Sequence, residues 1–206
     1  MDYSVKNNDI IVSERDFDLD DTLDCGQAFR WKKTSQNTYE GHFLNTYLKV
    51  SQNNNIFTFH DTTEKDFLDI WYDYFDFGTD YAELKRQFSE DETLAKACQF
   101  AGGIRLLRQD AWECLISFII SQNNNIPRIK GIIDRLCSHY GKFPTAGMLA
   151  DETSESLEYL RSGFRAKYIC DAVKRVSDSS TDLEKIKAMP LDDARTELKK
   201  IKGVGA

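Results

Sequence analysis

The sequence has no closely spaced cysteine pair, no long apolar run and no repeated or low-complexity segment. Its five cysteines lie far apart without a Cys-x-x-Cys pair, so we expect neither a structural metal nor a disulfide framework. Without a long apolar run, we expect no signal peptide and no membrane span. The 41% hydrophobic and 30% charged residues suit a globular protein inside the cell, in the cytoplasm or the nucleus.

An excess of positive charge is also missing, since the formal net charge is −7. The charge is unevenly distributed, however. Residues 1–102 hold 10 Lys/Arg and 20 Asp/Glu, whereas residues 103–206 hold 17 and 14. Any contact with phosphate is therefore expected in the second half, although an ordinary solvated surface explains the same numbers.

The chain is predicted to have an α+β fold with two domains. Short aromatic and β-branched runs between Gly26 and His60 predict an antiparallel sheet in an N-terminal domain, residues 1–102. The amide-rich residues 51–55 predict its last hairpin turn. The predicted strands are residues 29–31, 38–43, 46–50 and 56–59.

After Glu64 the apolar period becomes helical, and residues 103–206 are predicted to form an all-helical domain. Ile129, Ile132 and Leu136 belong to a nearly perfect helical stripe. The sequence also predicts helices over residues 64–74, 112–120, 167–176 and 191–200. Pro190 is expected to start the last of these helices and Gly203 to end it.

The chain closes with Gly203-Val204-Gly205 after a predicted helix. Two glycines at this spacing permit a sharp turn whose amides point outward at an anion such as a DNA phosphate. Plain capping of the helix C-terminus explains the same residues. A hairpin of this kind normally joins two helices.

A second motif, residues 121–128, separates two strongly amphipathic helices and reads Ser-Gln-Asn-Asn-Asn-Ile-Pro-Arg. The asparagines can cap a helix and turn the chain. Asn123 and Arg128 can equally hydrogen-bond the edges of bases left unpaired when a partner leaves the stack. The chemistry of the residues leaves both interpretations open.

A third motif, residues 25–31, reads Cys-Gly-Gln-Ala-Phe-Arg-Trp and leads into the predicted sheet. Taken alone, it is a glycine at a strand entrance followed by core aromatics. With the two motifs above and Gly-Phe-Arg-Ala-Lys-Tyr at 163–168, it resembles the 8-oxoguanine DNA glycosylases of the helix-hairpin-helix superfamily. The resemblance extends from about Asp24 to Ala206.

The resemblance implies a repair enzyme that flips 8-oxoguanine out of duplex DNA where it lies opposite cytosine. The Gly26 carbonyl would accept a hydrogen bond from the protonated N7 of 8-oxoguanine, which guanine cannot offer because its N7 is an acceptor. Asn123 would fill the gap left by the flipped nucleotide. Arg128 and Arg165 would hold the estranged cytosine, and Phe164 would be the aromatic wedge. The hairpin of Gly203, Val204 and Gly205 would grip the DNA backbone.

The same resemblance implies attack by a lysine amine on the deoxyribose, giving a Schiff base that then cleaves the strand by β-elimination. The lysine is expected directly after Ala206, so residues 1–206 are expected to be inert. Lys199, Lys200 and Lys202 precede the hairpin and would lie on its wrong side. No cofactor, no metal and no membrane partner is expected, and the protein is expected to be a monomer.

The sequence departs from the family pattern in two connections, after Gly141 and before Gly163, which look short. One hypothesis is that segments of the natural polypeptide are omitted. Three other interpretations stay open: an alkyl-base or adenine-mismatch glycosylase of the same superfamily, a non-catalytic duplex-DNA-binding module, and a protein-interaction domain. A lesion panel separates the first, and the salt dependence of duplex binding separates the other two.

Overall fold

A computed structural model of the chain describes residues 1–205, and Ala206 lies outside the described residues. The chain forms two compact units, Met1–Gln109 and Asp110–Ala206. The first contains an antiparallel sheet, and the second is built of helices and turns throughout its described residues. The predicted α+β fold, with a sheet domain followed by a helical domain, is confirmed.

The sheet of the first unit has six antiparallel strands in the order β1-β2-β6-β5-β4-β3. Alternation of more and less buried side chains, which a sheet with one covered face requires, occurs in Asp9–Ser13, Thr38–Phe43, Thr46–Asn53 and Ile56–His60. Val50, for example, is buried, while its neighbour Lys49 pairs with Glu40 of the adjacent strand on the opposite face. The strand bounds are Asp2–Lys6 (β1), Asp9–Ser13 (β2), Trp31–Ser35 (β3), Thr38–Phe43 (β4), Thr46–Asn53 (β5) and Ile56–His60 (β6).

The sequence-based strands are corrected at two places. Strands β1 and β2 were not predicted. Every residue of β1 is exposed and leaves no apolar alternation to detect, whereas β2 does alternate, with Ile10 and Val12 buried, and was overlooked. The strand predicted from Phe29 begins instead at Trp31, since Phe29 and Arg30 lie in a bend. The predicted turn over residues 51–55 is present in shorter form, with Asn54 at φ +52° between β5 and β6.

Trp31 lies at the centre of the core of this unit. Its indole Nε1 donates to the Tyr74 hydroxyl at 2.8 Å, and its ring packs against Trp71 and Phe75. A Cβ on Gly41 of the neighbouring strand would lie 2.5 Å from the Trp31 ring. Glycine is therefore required there for the indole to lie flat on the sheet.

The helices of the first unit are short, and several begin at an aspartate that accepts a hydrogen bond from the first turn, as Asp18 does from Asp21 N at 3.0 Å. A π-helical turn, Phe67–Trp71, interrupts the helical segment that was predicted over residues 64–74. The bounds are Leu19–Leu23 (α1), Glu64–Asp66 (α2), Tyr72–Tyr74 (α3), Tyr81–Phe88 (α4) and Glu92–Phe100 (α5).

Residues 103–109 belong to the first unit, although the sequence assigned them to the helical domain. The Asp18 amide donates to the Gly103 carbonyl at 3.0 Å, and a Cβ on Gly103 would lie 2.2 Å from the Asp18 Cβ. The Arg105 amide donates to Thr22 Oγ1 at 3.2 Å. The segment has no regular secondary structure, so apolar periodicity could not assign it.

The second unit consists of five α-helices and two 3₁₀ turns within its described residues. The last helix ends at Leu198, so Gly203 does not end it as predicted but lies in a separate turn. The bounds are Ala111–Ser121 (α6), Ile126–Tyr140 (α7), Gly147–Leu149 and Ser156–Leu160 (3₁₀), Arg165–Ser177 (α8), Leu183–Lys187 (α9) and Leu191–Leu198 (α10).

Two expectations concern the surface. In the part of the chain that the structure describes, no helix is long and apolar enough to cross a membrane. The five cysteines are free, but Cys25 and Cys114 are exposed and the other three are half-buried.

Candidate nucleic-acid interface

The loop between α6 and α7 contains three asparagines, of which two stabilise the loop through side-chain hydrogen bonds and the third is exposed. The Asn125 side chain caps α7 by accepting from the Arg128 amide at 3.0 Å, and Asn124 Nδ2 donates to the Ile120 carbonyl at 3.0 Å. Asn123 lies between the two helices at φ +45° with an exposed side chain. The capping interpretation therefore accounts for Asn124 and Asn125 and leaves Asn123 facing solvent.

Arg165, the first residue of α8, stabilises this loop through hydrogen bonds to its backbone carbonyls. Its side chain is only 2% exposed, and Nε donates to the Gln122 carbonyl at 2.9 Å. Nη2 donates to the carbonyls of Gln122 and Asn123, and Nη1 to that of Ser162 at 3.1 Å. The guanidinium thus fixes the backbone conformation at Gln122 and Asn123. The predicted contact of Arg165 with cytosine would require it to leave these carbonyls.

Phe164 lies beside this arginine, with its ring 4.5 Å from the Arg165 Cζ and 51% of its surface exposed. Tyr168 contacts the same ring edge-on at 5.6 Å. The Phe164 side chain is therefore supported on one side and open to solvent on the other, as an aromatic that stacks on a base must be.

Arg128 is exposed on the first turn of α7, and its Nη2 donates to the Arg161 carbonyl at 3.3 Å. Burial lowers the pKa of the Arg165 guanidinium, and the nearby positive charge of Arg128 lowers it further. Two neighbouring guanidinium groups favour the binding of a ligand that is anionic or rich in hydrogen-bond acceptors.

The Gly203-Val204-Gly205 hairpin is a tight turn in which the Val204 amide donates to the Ile201 carbonyl at 3.0 Å. Gly203 has φ +88°, a conformation that favours glycine, and a Cβ there would lie 2.6 Å from the Tyr168 ring. The Lys202 amide donates to Asp171 Oδ2 on α8 at 2.9 Å. Both backbone conformation and close packing therefore require glycine at 203.

Gln122 joins the loop to the hairpin, a role that the sequence did not suggest. Its Nε2 donates to the Gly203 carbonyl at 2.5 Å, while its own carbonyl accepts from Arg165. These bonds connect the loop that carries Asn123 to Arg165 of α8 and to Gly203 of the hairpin. Phe164 lies beside Arg165, and Arg128 contacts the Arg161 backbone. No local pattern indicates the link, because Gln122 and Gly203 are 81 positions apart.

The lysines that precede the hairpin are on the surface. Lys200 Nζ pairs with Glu197 at 2.6 Å, and Lys202 Nζ lies 3.9 Å from Asp171. Lys199 follows the end of α10. The position expected for the nucleophilic lysine, after Ala206, lies outside the described residues.

Gly26 belongs to the first unit, where it follows α1 at φ +89° and is half-buried. The next residue, Gln27, anchors it: Nε2 donates to the Thr22 and Arg105 carbonyls at 3.0 and 2.8 Å, and Oε1 accepts from the Leu107 amide at 3.0 Å. Among the described residues, no hydrogen bond ends on the Gly26 carbonyl. Gln27 is a second positioning residue that the sequence did not indicate.

A family model described as "8-oxoguanine DNA glycosylase, N-terminal domain" matches residues 9–115. The chain is also 30% identical over 205 residues to the N-glycosylase/DNA lyase of Arabidopsis thaliana. This match covers 89% of the chain but 56% of the plant protein. The chain thus spans about half the length of this curated relative.

Solved structures match over the entire chain. A structure of MBOgg1 in complex with a low-affinity DNA ligand is 38% identical, with a TM-score of 0.94, and the match covers 100% of this chain and 76% of that one. The 8-oxoguanine glycosylase/lyase of Clostridium acetobutylicum, in complex with double-stranded DNA containing cytosine opposite 8-oxoG, is 36% identical with a TM-score of 0.92, at coverages of 100% and 76%. The chain therefore belongs to the 8-oxoguanine DNA glycosylase family of the helix-hairpin-helix superfamily.

Proposed function

We propose that the protein excises 8-oxoguanine opposite cytosine in duplex DNA and then cleaves the strand, as a bifunctional glycosylase and lyase. The observation that carries the proposal is the exposed Asn123 at φ +45°, on a loop held by Arg165 and flanked by Arg128 and Phe164. An enzyme that acts on an extruded base needs groups that occupy the gap and pair with the stranded partner. These four side chains have that chemistry.

Each residue has a separate role in the proposed reaction. Asn123 fills the gap left by the flipped nucleotide, and Phe164 wedges between the neighbouring bases of the opposite strand. Arg128 donates to the acceptors of the estranged cytosine, which Arg165 is also predicted to hold. The buried position of Arg165 favours a positioning role, in which it orders the Asn123 loop.

The lesion itself is recognised at Gly26 in this proposal. Its carbonyl, free of hydrogen bonds among the described residues, accepts from the protonated N7 that distinguishes 8-oxoguanine from guanine. The turn of Gly203, Val204 and Gly205 binds the DNA backbone through main-chain groups.

The nucleophile is proposed to be a lysine that follows Ala206. Its amine displaces the base from C1′ of the deoxyribose, and the resulting Schiff base permits β-elimination of the 3′ phosphate. The protein is proposed to act as a monomer on genomic DNA, without cofactor or metal, in the cytoplasm of a bacterium or the nucleus of a eukaryote.

A lesion panel tests the proposal. The natural gene product is incubated with duplexes carrying 8-oxoguanine opposite each of the four bases, an alkylated purine, or adenine opposite 8-oxoguanine. We expect excision of 8-oxoguanine, fastest opposite cytosine. Preferential release of the alkylated purine or of the mismatched adenine would assign the protein to another branch of the superfamily. Binding to every duplex without excision would indicate a non-catalytic module.

A further inference from the structure

A second cationic feature of the helical unit is a cleft of about 530 Å³ at the start of α8. Arg128, Arg161 and Lys167 line it, with Glu158 as an opposing charge. Arg161 and Lys167 are exposed, and neither makes an ion pair among the residues that the structure describes. Three cations thus line a small open space together with Glu158, and Glu155 lies within electrostatic range of Lys167.

The backbone adds to this positive potential. The cleft includes Ser162 and Gly163, directly before α8, a helix whose N-cap residue, Phe164, makes no side-chain capping bond. The uncapped amide end of a helix carries a partial positive charge and attracts anions. Arg161 is held in a left-handed conformation at φ +54°, at the turn that leads into this helix start.

An independent observation indicates that the cleft can bind a hydrogen-bonding ligand. Ser162 lines the cleft and is 1% exposed, and its Oγ has no hydrogen-bond partner among the described residues. Buried hydroxyls without a partner are uncommon in proteins because the lost hydration is not replaced. A ligand oxygen bound in the cleft that Ser162 lines would supply that partner.

We propose that this cleft binds a phosphodiester group of the DNA strand opposite the lesion, held by Arg161, Lys167 and Ser162. The inference rests on the proposed function, because the strand is assigned through Arg128, which lines the same cleft and is proposed to hold the estranged cytosine. Several cations at a helix N-terminus suit an anion better than a neutral base.

The test combines protein variants with single neutral linkages in the DNA. Binding is measured with a duplex carrying a tetrahydrofuran abasic analogue opposite cytosine, with one methylphosphonate placed in turn at each position of the undamaged strand. We expect one position to weaken binding by wild-type protein about tenfold. The double variant Arg161→Gln/Lys167→Gln should lose no further affinity when the methylphosphonate is at that position. Its slope of log Kd against log salt should also be lower by about one. Arg195→Gln, an exposed arginine paired with Asp192 on α10, is the control and should respond like wild type.

Equal losses in the double variant and in wild type at every position would overturn the proposal. Ser162→Ala provides a second criterion, because the hydroxyl has no partner within the described residues. We expect this variant to keep or raise the melting temperature of the free protein while weakening DNA binding. A lower melting temperature with unchanged binding would assign the hydroxyl a structural role and would contradict the proposal.

Failure of the cleft is distinguishable from failure of the proposed function. Excision from 8-oxoguanine:cytosine and guanine:cytosine duplexes is measured for the same proteins. Suppose that 8-oxoguanine is excised selectively but the double variant and wild type respond alike to every methylphosphonate. This result would overturn the phosphate-binding proposal for the cleft and leave the proposed function intact. Suppose instead that the double variant is insensitive to one methylphosphonate but excision shows no preference for 8-oxoguanine. This result would support phosphate binding in the cleft and overturn the proposed substrate.

Discussion

The side-chain amide of Gln122 donates a 2.5 Å hydrogen bond to the carbonyl of Gly203. The bond joins the loop that presents Asn123 to the hairpin proposed to bind the DNA backbone. Since Arg165 donates to the carbonyl of the same glutamine, one residue links the loop and the hairpin to α8. The position of the loop relative to the hairpin is therefore fixed by side-chain bonds to backbone carbonyls.

Gln122→Ala should weaken this link. We expect a loss of about 0.5–1.5 kcal/mol in the free energy of unfolding, the usual value of one intramolecular hydrogen bond. Duplex affinity should fall as well, because the loop and hairpin no longer share one arrangement. Urea unfolding and fluorescence anisotropy measure the two effects. Gln99→Ala, on the exposed face of α5, removes the same group and should change neither quantity.

The two glycines of the hairpin should respond differently to alanine. Gly203→Ala places a Cβ 2.6 Å from the Tyr168 ring at φ +88°, so it should cost about 1–3 kcal/mol of stability and weaken DNA binding. Gly205→Ala meets nothing within 4 Å and should be tolerated for folding. Thermal unfolding of both variants checks the pair. Equal stability of the two variants would show that the close approach to Tyr168 is not a constraint.

Arg128→Ala should relax the preference for opposite cytosine more than it weakens overall binding. A lost base contact is worth about 1–3 kcal/mol, whereas a lost phosphate contact would act on all sequences alike. Affinities are measured with an abasic analogue opposite each of the four bases. Arg195→Ala on α10 is the control. Equal losses opposite all four bases would contradict a reading role for Arg128.

Gly26→Ala should reduce discrimination between 8-oxoguanine and guanine. Alanine disfavours φ +89°, so the carbonyl that is proposed to accept from N7 would turn away, at a cost of about 0.5–1.5 kcal/mol in selectivity. The ratio of affinities for the two duplexes gives this quantity. Gly78→Ala, whose nearest new contact would be 3.8 Å away, should leave the ratio unchanged. An unaltered ratio in Gly26→Ala would remove Gly26 from lesion recognition.

The sequence predicted the fold where local patterns determine it. Apolar alternation in Thr38–Phe43 and helical spacing in Ile126–Tyr140 reflect one buried face each, and both elements formed as expected. Strand β1 escaped prediction because its residues are all exposed and its pairing with β2 is tertiary. The segment 103–109 was misassigned for a similar reason, since its bonds to Asp18, Thr22 and Gln27 connect residues far apart in sequence.

The sequence predicted which residues belong to the candidate site but not how buried they are or what they contact. The motifs identified Asn123, Arg128 and Phe164, which the structure leaves exposed. Nothing local indicated that Arg165 would be buried on three backbone carbonyls, because arginine is rarely buried without a charged partner. Gln122 and Gln27 were missed because their bonds reach segments distant in sequence, and Ser162 because its burial depends on the tertiary packing around it.

Borohydride trapping shows whether a lysine beyond Ala206 forms a Schiff base with the damaged DNA. A duplex with 8-oxoguanine opposite cytosine is incubated with a protein of residues 1–206 and, separately, with the natural gene product extended past Ala206. We expect a covalent adduct with the extended protein only, and none on an undamaged guanine:cytosine duplex. An adduct with residues 1–206 would mean that an internal lysine is the nucleophile. The absence of an adduct with either protein would contradict Schiff-base chemistry and leave a DNA-binding module.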